Sequence, residues 1–350
     1  MNITLKHTSH SPASMADTTT PKHNNSNPKN LPKVLLLKPP PPIYHRFESQ
    51  FSHHFNFLKS FESQLSLPEF LAAENSSDDV TAIFVTSLGP RITAADILDH
   101  LPSLRCIVTS TIGVDFIDLD ECRRRRISVA NAADVFSTDC ADSAVGLLID
   151  VLRKISAADR YVHRGNWSVS GAFPLGNRLG CRKIGIVGLG SIGSRIAKRL
   201  AGFNCRILYT SRKKKPSVPY SFYPDIHELA ADSDVLVICC PLTDETRHMI
   251  NREVLLALGK EGVVINISRG SVVDEKELVK FLLEGQIAGA GLDVFENEPI
   301  VPEELLALDN VVLSPHLAAC TDDAYHDLYE HVKGNLQAFF SNKPLRSPIV

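Results

Sequence analysis

Lys183-Ile184-Gly185-Ile186-Val187-Gly188-Leu189-Gly190-Ser191-Ile192-Gly193 decides how the rest of the chain is read. Its first half is an apolar run of strand length, and a helical pattern continues beyond it through Ile196 and Leu200. Gly188 is expected to allow the tight strand-to-helix turn, Gly190 to let the backbone approach a pyrophosphate, and Gly193 to let the helix pack close to the strand. Leu189, Gly190, Ser191 and Ile192 open the helix, whose free N–H groups and positive dipole end would face the phosphates. A bare G-x-G-x-x-G is a weak signal. The strand before it and the helix after it make it a dinucleotide site.

Working outward toward the C-terminus, apolar runs recur at Arg206–Tyr209, Val235–Cys239, Val263–Ile267, Ala288–Asp293 and Val311–Leu313. Helical stretches intervene near Glu253–Leu258 and Glu275–Leu283. With Ile184–Val187 these make six parallel strands with crossover helices, the doubly wound dinucleotide fold. Toward the N-terminus, runs at Val34–Leu37, Ala82–Val85, Arg105–Thr109 and Ile127–Ala130 alternate with helical segments around Leu65–Ala73 and Ala94–Leu101, a smaller unit of the same class. A helical pattern over Thr138–His163 bridges the two units. The last helix, Asp322–Phe340, is expected to cross back to the first. The fold class is therefore α/β, with two doubly wound parallel-sheet domains. A Rossmann cofactor domain, 131–317, is expected to be inserted into a discontinuous flavodoxin-like substrate domain, 31–130 and 318–350.

The bulk properties narrow the field. A chain of 350 residues can form two cores, and a net charge of −3 gives no electrostatic case for nucleic acid or a membrane surface. No apolar run approaches the roughly 18 residues of a membrane helix. The eight cysteines are scattered without a C-x-x-C, which points to reduced thiols, a reducing compartment and no metal. Residues 1–30 are polar and lack periodicity, as expected of a disordered extension. They are poor in acid (only Asp17), as a plastid transit peptide would be, but they also lack arginine and an amphipathic pattern. A cytoplasmic protein is the favoured expectation and a plastid one the alternative. Arg123–Arg126 read as a solvated helix end rather than a nuclear signal.

In such a sheet, ligands gather beyond the carboxyl ends of the strands. Cys240 and Pro241 follow one strand there, and Ile267, Ser268 and Arg269 close another. Asp293 ends the next, with Glu298 in the loop beyond it, and His316 follows Leu313 by three residues. A 2-oxo acid reduced by hydride needs its carboxylate held, its carbonyl polarised and a proton delivered to the developing alkoxide. The planar fork of Arg269 suits the first two tasks. His316 suits the third, because an imidazole titrates near neutrality. Glu298, accepting the other ring N–H, would fix the ring and favour its protonated form. His53, His54, His163, His227, His248, His326 and His331 lack this context and read as structural or exposed.

Gly188-x-Gly190-x-x-Gly193, Ile267-Ser268-Arg269-Gly270, Gly291-Leu292-Asp293-Val294-Phe295-Glu296-Asn297-Glu298-Pro299 and Ser314-Pro315-His316 together resemble the D-isomer-specific 2-hydroxyacid dehydrogenases over about residues 31–345. The resemblance implies that Arg269, Glu298 and His316 are the catalytic trio and that Asp293 holds the nicotinamide carboxamide. It further implies that Ser110-Thr111-Ile112-Gly113-Val114-Asp115 binds the substrate carboxylate through the N–H groups of Ile112 and Gly113. Such enzymes are commonly homodimers paired through the cofactor domains. In some relatives a tryptophan in the segment holding Trp167 reaches the partner's site, although Trp167 reads equally as an ordinary interface or core aromatic. Ala318 departs from the glycine that many relatives carry after the histidine.

An NAD site usually places Asp or Glu about 20 residues beyond the glycines. No acidic residue occurs between Asp159 and Asp225; the second strand ends instead in Thr210-Ser211-Arg212-Lys213-Lys214-Lys215. Ser211, Arg212 and Lys213 could bind a 2′-phosphate, so NADPH is the expected cofactor and NADH a weaker one. The chain looks most like the plant glyoxylate/hydroxypyruvate reductases and hydroxyphenylpyruvate reductases, and the pocket wall is expected from Pro39–Phe47 and Ser87–Leu88. The expected reaction is reduction of small 2-oxo acids such as glyoxylate and hydroxypyruvate to D-2-hydroxy acids, with aromatic 2-oxo acids the alternative. A rival of another class is a cofactor-binding regulatory protein, which would bind NADPH tightly yet oxidise it with no 2-oxo acid.

Overall fold

The structure, a computed structural model, describes residues 31–39, 51–73, 79–86 and 90–350. The expected extension 1–30, residues 40–47 of the pocket wall, and Ser87 and Leu88 lie outside the described residues.

Two sheets form, and all their strand pairs are parallel. The first comprises β1 (Lys33–Leu36), β2 (Asn56–Lys59), β3 (Ala82–Val85), β4 (Cys106–Thr109) and β5 (Ser128–Ala130), in the order β2-β1-β3-β4-β5. The second comprises β6 (Lys183–Val187), β7 (Arg206–Thr210), β8 (Ser221–Phe222), β9 (Val235–Ile238), β10 (Val263–Asn266), β11 (Gly289–Leu292) and β12 (Val311–Leu313), in the order β12-β11-β10-β9-β6-β7-β8. The first order is flavodoxin-like and the second extends the Rossmann order by one strand. Strand β6, which leads into the glycine turn, sits at the point where that order reverses, flanked by β7 and β9.

The central strands are buried along their length because helices cover both faces, so they read as unbroken apolar runs. The edges are where the sequence reading fell short. It counted four strands in the first sheet and six in the second, and missed β2 and β8. Strand β2 is Asn-Phe-Leu-Lys with no residue fully buried, and β8 has only two residues, so neither leaves an apolar run to find.

The single helix expected over Thr138–His163 is two, Ser137–Arg153 and Ile155–His163. Lys154 between them turns into the left-handed region at φ 55°, and the Asp150 carboxylate captures the Ser156 N–H at 2.8 Å to start the second helix. Ala94–Leu101 forms turns and one 3-10 segment, Leu98–His100, rather than a helix. Arg123, Arg124 and Arg125 lie in the last turn of helix Leu119–Arg125 and pair with Asp120, Glu121 and Asp99, an ordinary solvated helix end.

Helix Asp322–Phe340 starts at a Thr321 cap, whose hydroxyl accepts the Ala324 N–H at 3.0 Å, and packs against β4. Its Leu328, Tyr329, Val332 and Leu336 join the core that holds Val34, Phe84 and Val108 of the first sheet. Beyond it the chain runs antiparallel along β5, where Val129 exchanges backbone bonds with Ile349 and Val350. That segment covers an edge strand that would otherwise be open to pairing.

Candidate active site

The glycine turn has the stereochemistry its spacing predicts. Gly188 has φ 99°, and a Cβ there would lie 2.8 Å from the Cys240 backbone nitrogen. A Cβ on Gly193 would lie 2.2 Å from the Gly188 carbonyl oxygen, so the helix could not sit this close to its strand. Gly190 differs: a Cβ there meets no protein atom within 4 Å. Its lack of a side chain opens space above the start of helix Ser191–Gly202, which has no side-chain cap. Open space over uncapped N–H groups suits a dinucleotide diphosphate. Leu189 is buried and offers only its backbone, and the Ser191 hydroxyl is met by Arg195 Nη1 at 2.6 Å.

Beyond β7 no acidic residue follows before Asp225. Arg212 and Lys213 are exposed, while the Ser211 hydroxyl donates to the Lys213 carbonyl at 2.7 Å. The donor expected from Ser211 is therefore engaged within its own loop, leaving the two cations.

Strand β10 ends at Asn266, a buried residue that the sequence reading passed over. Its Oδ1 accepts the Ser268 N–H and hydroxyl, both at 3.1 Å, and its Nδ2 donates to the Arg269 carbonyl at 3.0 Å. One side chain thus shapes the turn that presents Arg269. The signal was available, because a polar residue inside Val-Val-Ile-Asn-Ile needs a partner when buried. Gly270 follows, and a Cβ there would fall 1.9 Å from the Phe295 carbonyl carbon; the loops bearing Arg269 and Glu298 therefore touch.

Glu298 Oε2 lies 2.8 Å from His316 Nδ1, and Glu298 Oε1 accepts the Phe295 N–H at 3.0 Å. Burial pushes the Glu298 carboxyl up, but the bonds from His316 and Phe295 and the charges of His316 and Arg269 outweigh it, so the net shift is downward. With Nδ1 committed, Nε2 is the His316 ring nitrogen left without a hydrogen-bond partner among the described residues. His316 has φ 56°, a left-handed backbone that costs an L-residue about 1–2 kcal/mol. It is held there by its N–H, which donates to the Asp293 carbonyl at 2.8 Å.

Asp293 is 1% exposed, and its two carboxylate oxygens accept the N–H groups of Leu317 at 2.8 Å and Ala318 at 3.0 Å. The resemblance assigned this residue to the nicotinamide carboxamide. The structure gives it a further duty, holding the segment that follows His316.

The loop after β4 meets the Arg269 loop. Arg269 Nη1 donates to the Ser268 carbonyl at 2.8 Å and Nη2 reaches Asp115 Oδ1 at 3.2 Å. The carbonyls of Ile112 and Gly113 are held by Asn131 Nδ2 and the Thr111 hydroxyl, each at 2.7 Å. No described residue accepts either N–H, which are the donors the resemblance named. Asn131, buried, is a second residue that sequence reasoning missed.

Ile267 is buried and Ser268 partly so at this edge; Cys240 packs its backbone on Gly188, and the Pro241 carbonyl accepts the Thr246 hydroxyl at 2.8 Å. His248, read as structural or exposed, pairs through Nε2 with Glu296 Oε1 at 2.6 Å, and the Glu296 N–H donates to Glu275. Burial lifts the Glu275 carboxyl above its usual range; the Glu296 N–H opposes this and the Glu296 and Glu298 charges add to it. Trp167 is 65% exposed, which removes the reading of it as a core aromatic. The described residues contain no helix long and apolar enough to cross a membrane.

Comparison with known proteins gives a consistent result. Residues 145–318 match the family model described as D-isomer specific 2-hydroxyacid dehydrogenase, NAD binding domain. The chain is 52% identical over 318 residues to glyoxylate/hydroxypyruvate reductase HPR3 of Arabidopsis thaliana, covering 91% of this chain and 97% of that one. It is 49% identical over 256 residues to the hydroxyphenylpyruvate reductase of Plectranthus scutellarioides, covering 73% and 82%. Among solved structures, the NADPH-dependent glyoxylate/hydroxypyruvate reductase of Sinorhizobium meliloti, in complex with NADP and malonate, superposes with a TM-score of 0.83 at 36% identity, covering 91% of this chain and 97% of that one.

Proposed function

Because the chain belongs to the D-isomer-specific 2-hydroxyacid dehydrogenase family, we propose that it is an NADPH-dependent reductase of small 2-oxo acids, glyoxylate and hydroxypyruvate foremost. The observation that carries the reading is the Glu298–His316 pair, close enough to Arg269 to feel its charge, on loops of the same sheet that carries the glycine turn. The relatives named above supply the substrate class, and the exposed cations Arg212 and Lys213, with no acidic residue in the sequence between Asp159 and Asp225, supply the cofactor preference.

NADPH, when bound, supplies the hydride for C2 of the substrate. Residues 188–193 would hold its diphosphate and Arg212 and Lys213 its 2′-phosphate. Ile112 and Gly113 N–H groups and Arg269 bind the substrate carboxylate, and Arg269 also polarises the carbonyl. His316 Nε2 delivers the proton to the oxygen, and Glu298 holds the ring in the orientation for that transfer. On this reading residues 131–317 are the cofactor domain, and 31–130 with 318–350 the substrate domain.

The working unit is a homodimer. Ile155, Val162, Trp167, Val169 and Leu175 put a run of large apolar side chains on the surface between helix Ile155–His163 and β6, more than a solitary subunit has reason to expose. Sedimentation of the wild type against Trp167→Ala tests this. Free and largely buried thiols support a reducing compartment, the cytoplasm.

The reading as a whole is tested by initial rates with glyoxylate, hydroxypyruvate and 4-hydroxyphenylpyruvate, each with NADPH and with NADH. Turnover of the first two with NADPH is expected. A strong preference for the aromatic acid would move the assignment toward the Plectranthus relative. Tight NADPH binding without oxidation by any of the three would favour a regulatory protein. Arg212→Ala should raise KM for NADPH far more than for NADH; an equal change would refute the 2′-phosphate assignment.

A further inference from the structure

We infer that Asp115 is a positioning residue, whose carboxylate aims the Arg269 guanidinium at the place where a 2-oxo acid carboxylate docks; this rests on the reductase reading. The two residues lie 154 positions apart, on loops that leave different sheets, and meet at 3.2 Å between Asp115 Oδ1 and Arg269 Nη2. A guanidinium is a flat fork with five N–H donors. Here one bond on each Nη fixes its plane, Nη1 to the Ser268 carbonyl and Nη2 to Asp115, and the remaining donors stay available to a ligand.

Gly113 gives an independent sign of the same arrangement. A Cβ at Gly113 would lie 1.9 Å from Arg269 Nη2 and 2.8 Å from Asp115 Oδ1. Gly113 has no positive φ, so the turn itself would accept alanine. The guanidinium lying against the backbone is what a Cβ there would displace. Arg269 is thereby pressed onto the loop segment whose N–H groups the proposed mechanism also uses.

The pair contributes little to stability. Its side chains are 30% and 36% exposed, and ion pairs that water reaches contribute little net energy. Its effect is orientation. Arg269 has several rotatable bonds, and a misplacement of about 1 Å in a reacting complex can cost on the order of 10²-fold. A single contact from one Asp115 oxygen steers the fork without closing it to a second carboxylate.

The test compares Asp115→Ala, Asp115→Asn and Gly113→Ala with wild type. It uses glyoxylate kinetics at saturating NADPH, NADPH affinity by fluorescence titration, and thermal unfolding. Asp115→Ala should raise KM for glyoxylate roughly 10- to 100-fold, the scale of one charge-assisted hydrogen bond, with a smaller loss in kcat. NADPH affinity and the unfolding midpoint should not move. Asp115→Asn keeps an acceptor oxygen and should recover most of the loss, whereas Gly113→Ala displaces the guanidinium and should reproduce it. Wild-type kinetics for Asp115→Ala would overturn the proposal, as would an asparagine variant no better than alanine accompanied by a lowered unfolding midpoint. A wild type that reduces no 2-oxo acid would instead overturn the reductase reading.

Discussion

Glu298 bonds His316 Nδ1 through one oxygen and the Phe295 N–H through the other, so a single carboxylate fixes both the ring and the turn that carries the carboxylate. His316→Ala should lower kcat by about 10²–10⁴, the usual worth of a positioned proton donor. Glu298→Gln should lower kcat less, because a neutral amide can still meet the ring but no longer stabilises positive charge on it. A wild-type kcat for Glu298→Gln in steady-state glyoxylate kinetics would contradict this role.

Asp293 presents a different prediction, since its carboxylate is buried and accepts two backbone N–H groups. Asp293→Ala leaves both donors without a partner, at about 1–3 kcal/mol each. The unfolding midpoint should fall by several degrees, with turnover falling further as His316 loses its anchored neighbours. Asp293→Asn replaces one acceptor oxygen with a donor and should rescue only part of the loss. Differential scanning calorimetry alongside glyoxylate kinetics separates the two effects.

Gly188 and Gly190 should respond in opposite ways to alanine. At Gly188 the positive φ and the Cys240 backbone oppose a Cβ, so Gly188→Ala should destabilise the fold by about 1–2 kcal/mol or more. At Gly190 the protein leaves room, so Gly190→Ala should unfold at the wild-type temperature yet bind NADPH at least tenfold more weakly. Calorimetry and direct cofactor titration decide it. Normal binding by Gly190→Ala would remove the diphosphate from this turn.

His331 links the C-terminal helix to the junction between the two sheets. Its Nε2 is 2.8 Å from the Ser347 hydroxyl and 3.1 Å from the Asn131 carbonyl. Burial lowers its pKa below the ordinary 6.5; the Asn131 carbonyl and Asp134 oppose this, and Arg346 adds to it. A histidine depressed on folding binds fewer protons folded than unfolded. Its contribution is therefore complete above pH 6.5 and is lost as pH falls from 6.5 through the folded value. The unfolding midpoint should drop between pH 7 and 5.5, and His331→Gln should flatten that part of the curve. An identical slope in the variant would exclude His331 as its source.

The sequence by itself determined the class of the fold, the glycine turn and the set of polar residues at strand ends. These are local facts: a buried parallel strand is largely apolar, a turn at φ 99° against the Cys240 backbone favours glycine, and a strand's end fixes where the next residues emerge. It could not show β2 or β8, whose few half-covered residues carry no periodic signal, nor the break at Lys154, which depends on Asp150 reaching Ser156. Tertiary structure alone decided that Asn266 shapes the Arg269 turn, that Asn131 holds the Ile112 carbonyl, that Asp293 anchors the residues after His316, and that Asp115 meets Arg269. Each of these bonds, other than the short-range Asn266 turn, joins residues between 19 and 154 positions apart, and such pairings depend on the closed geometry of both sheets rather than on any neighbour in the chain.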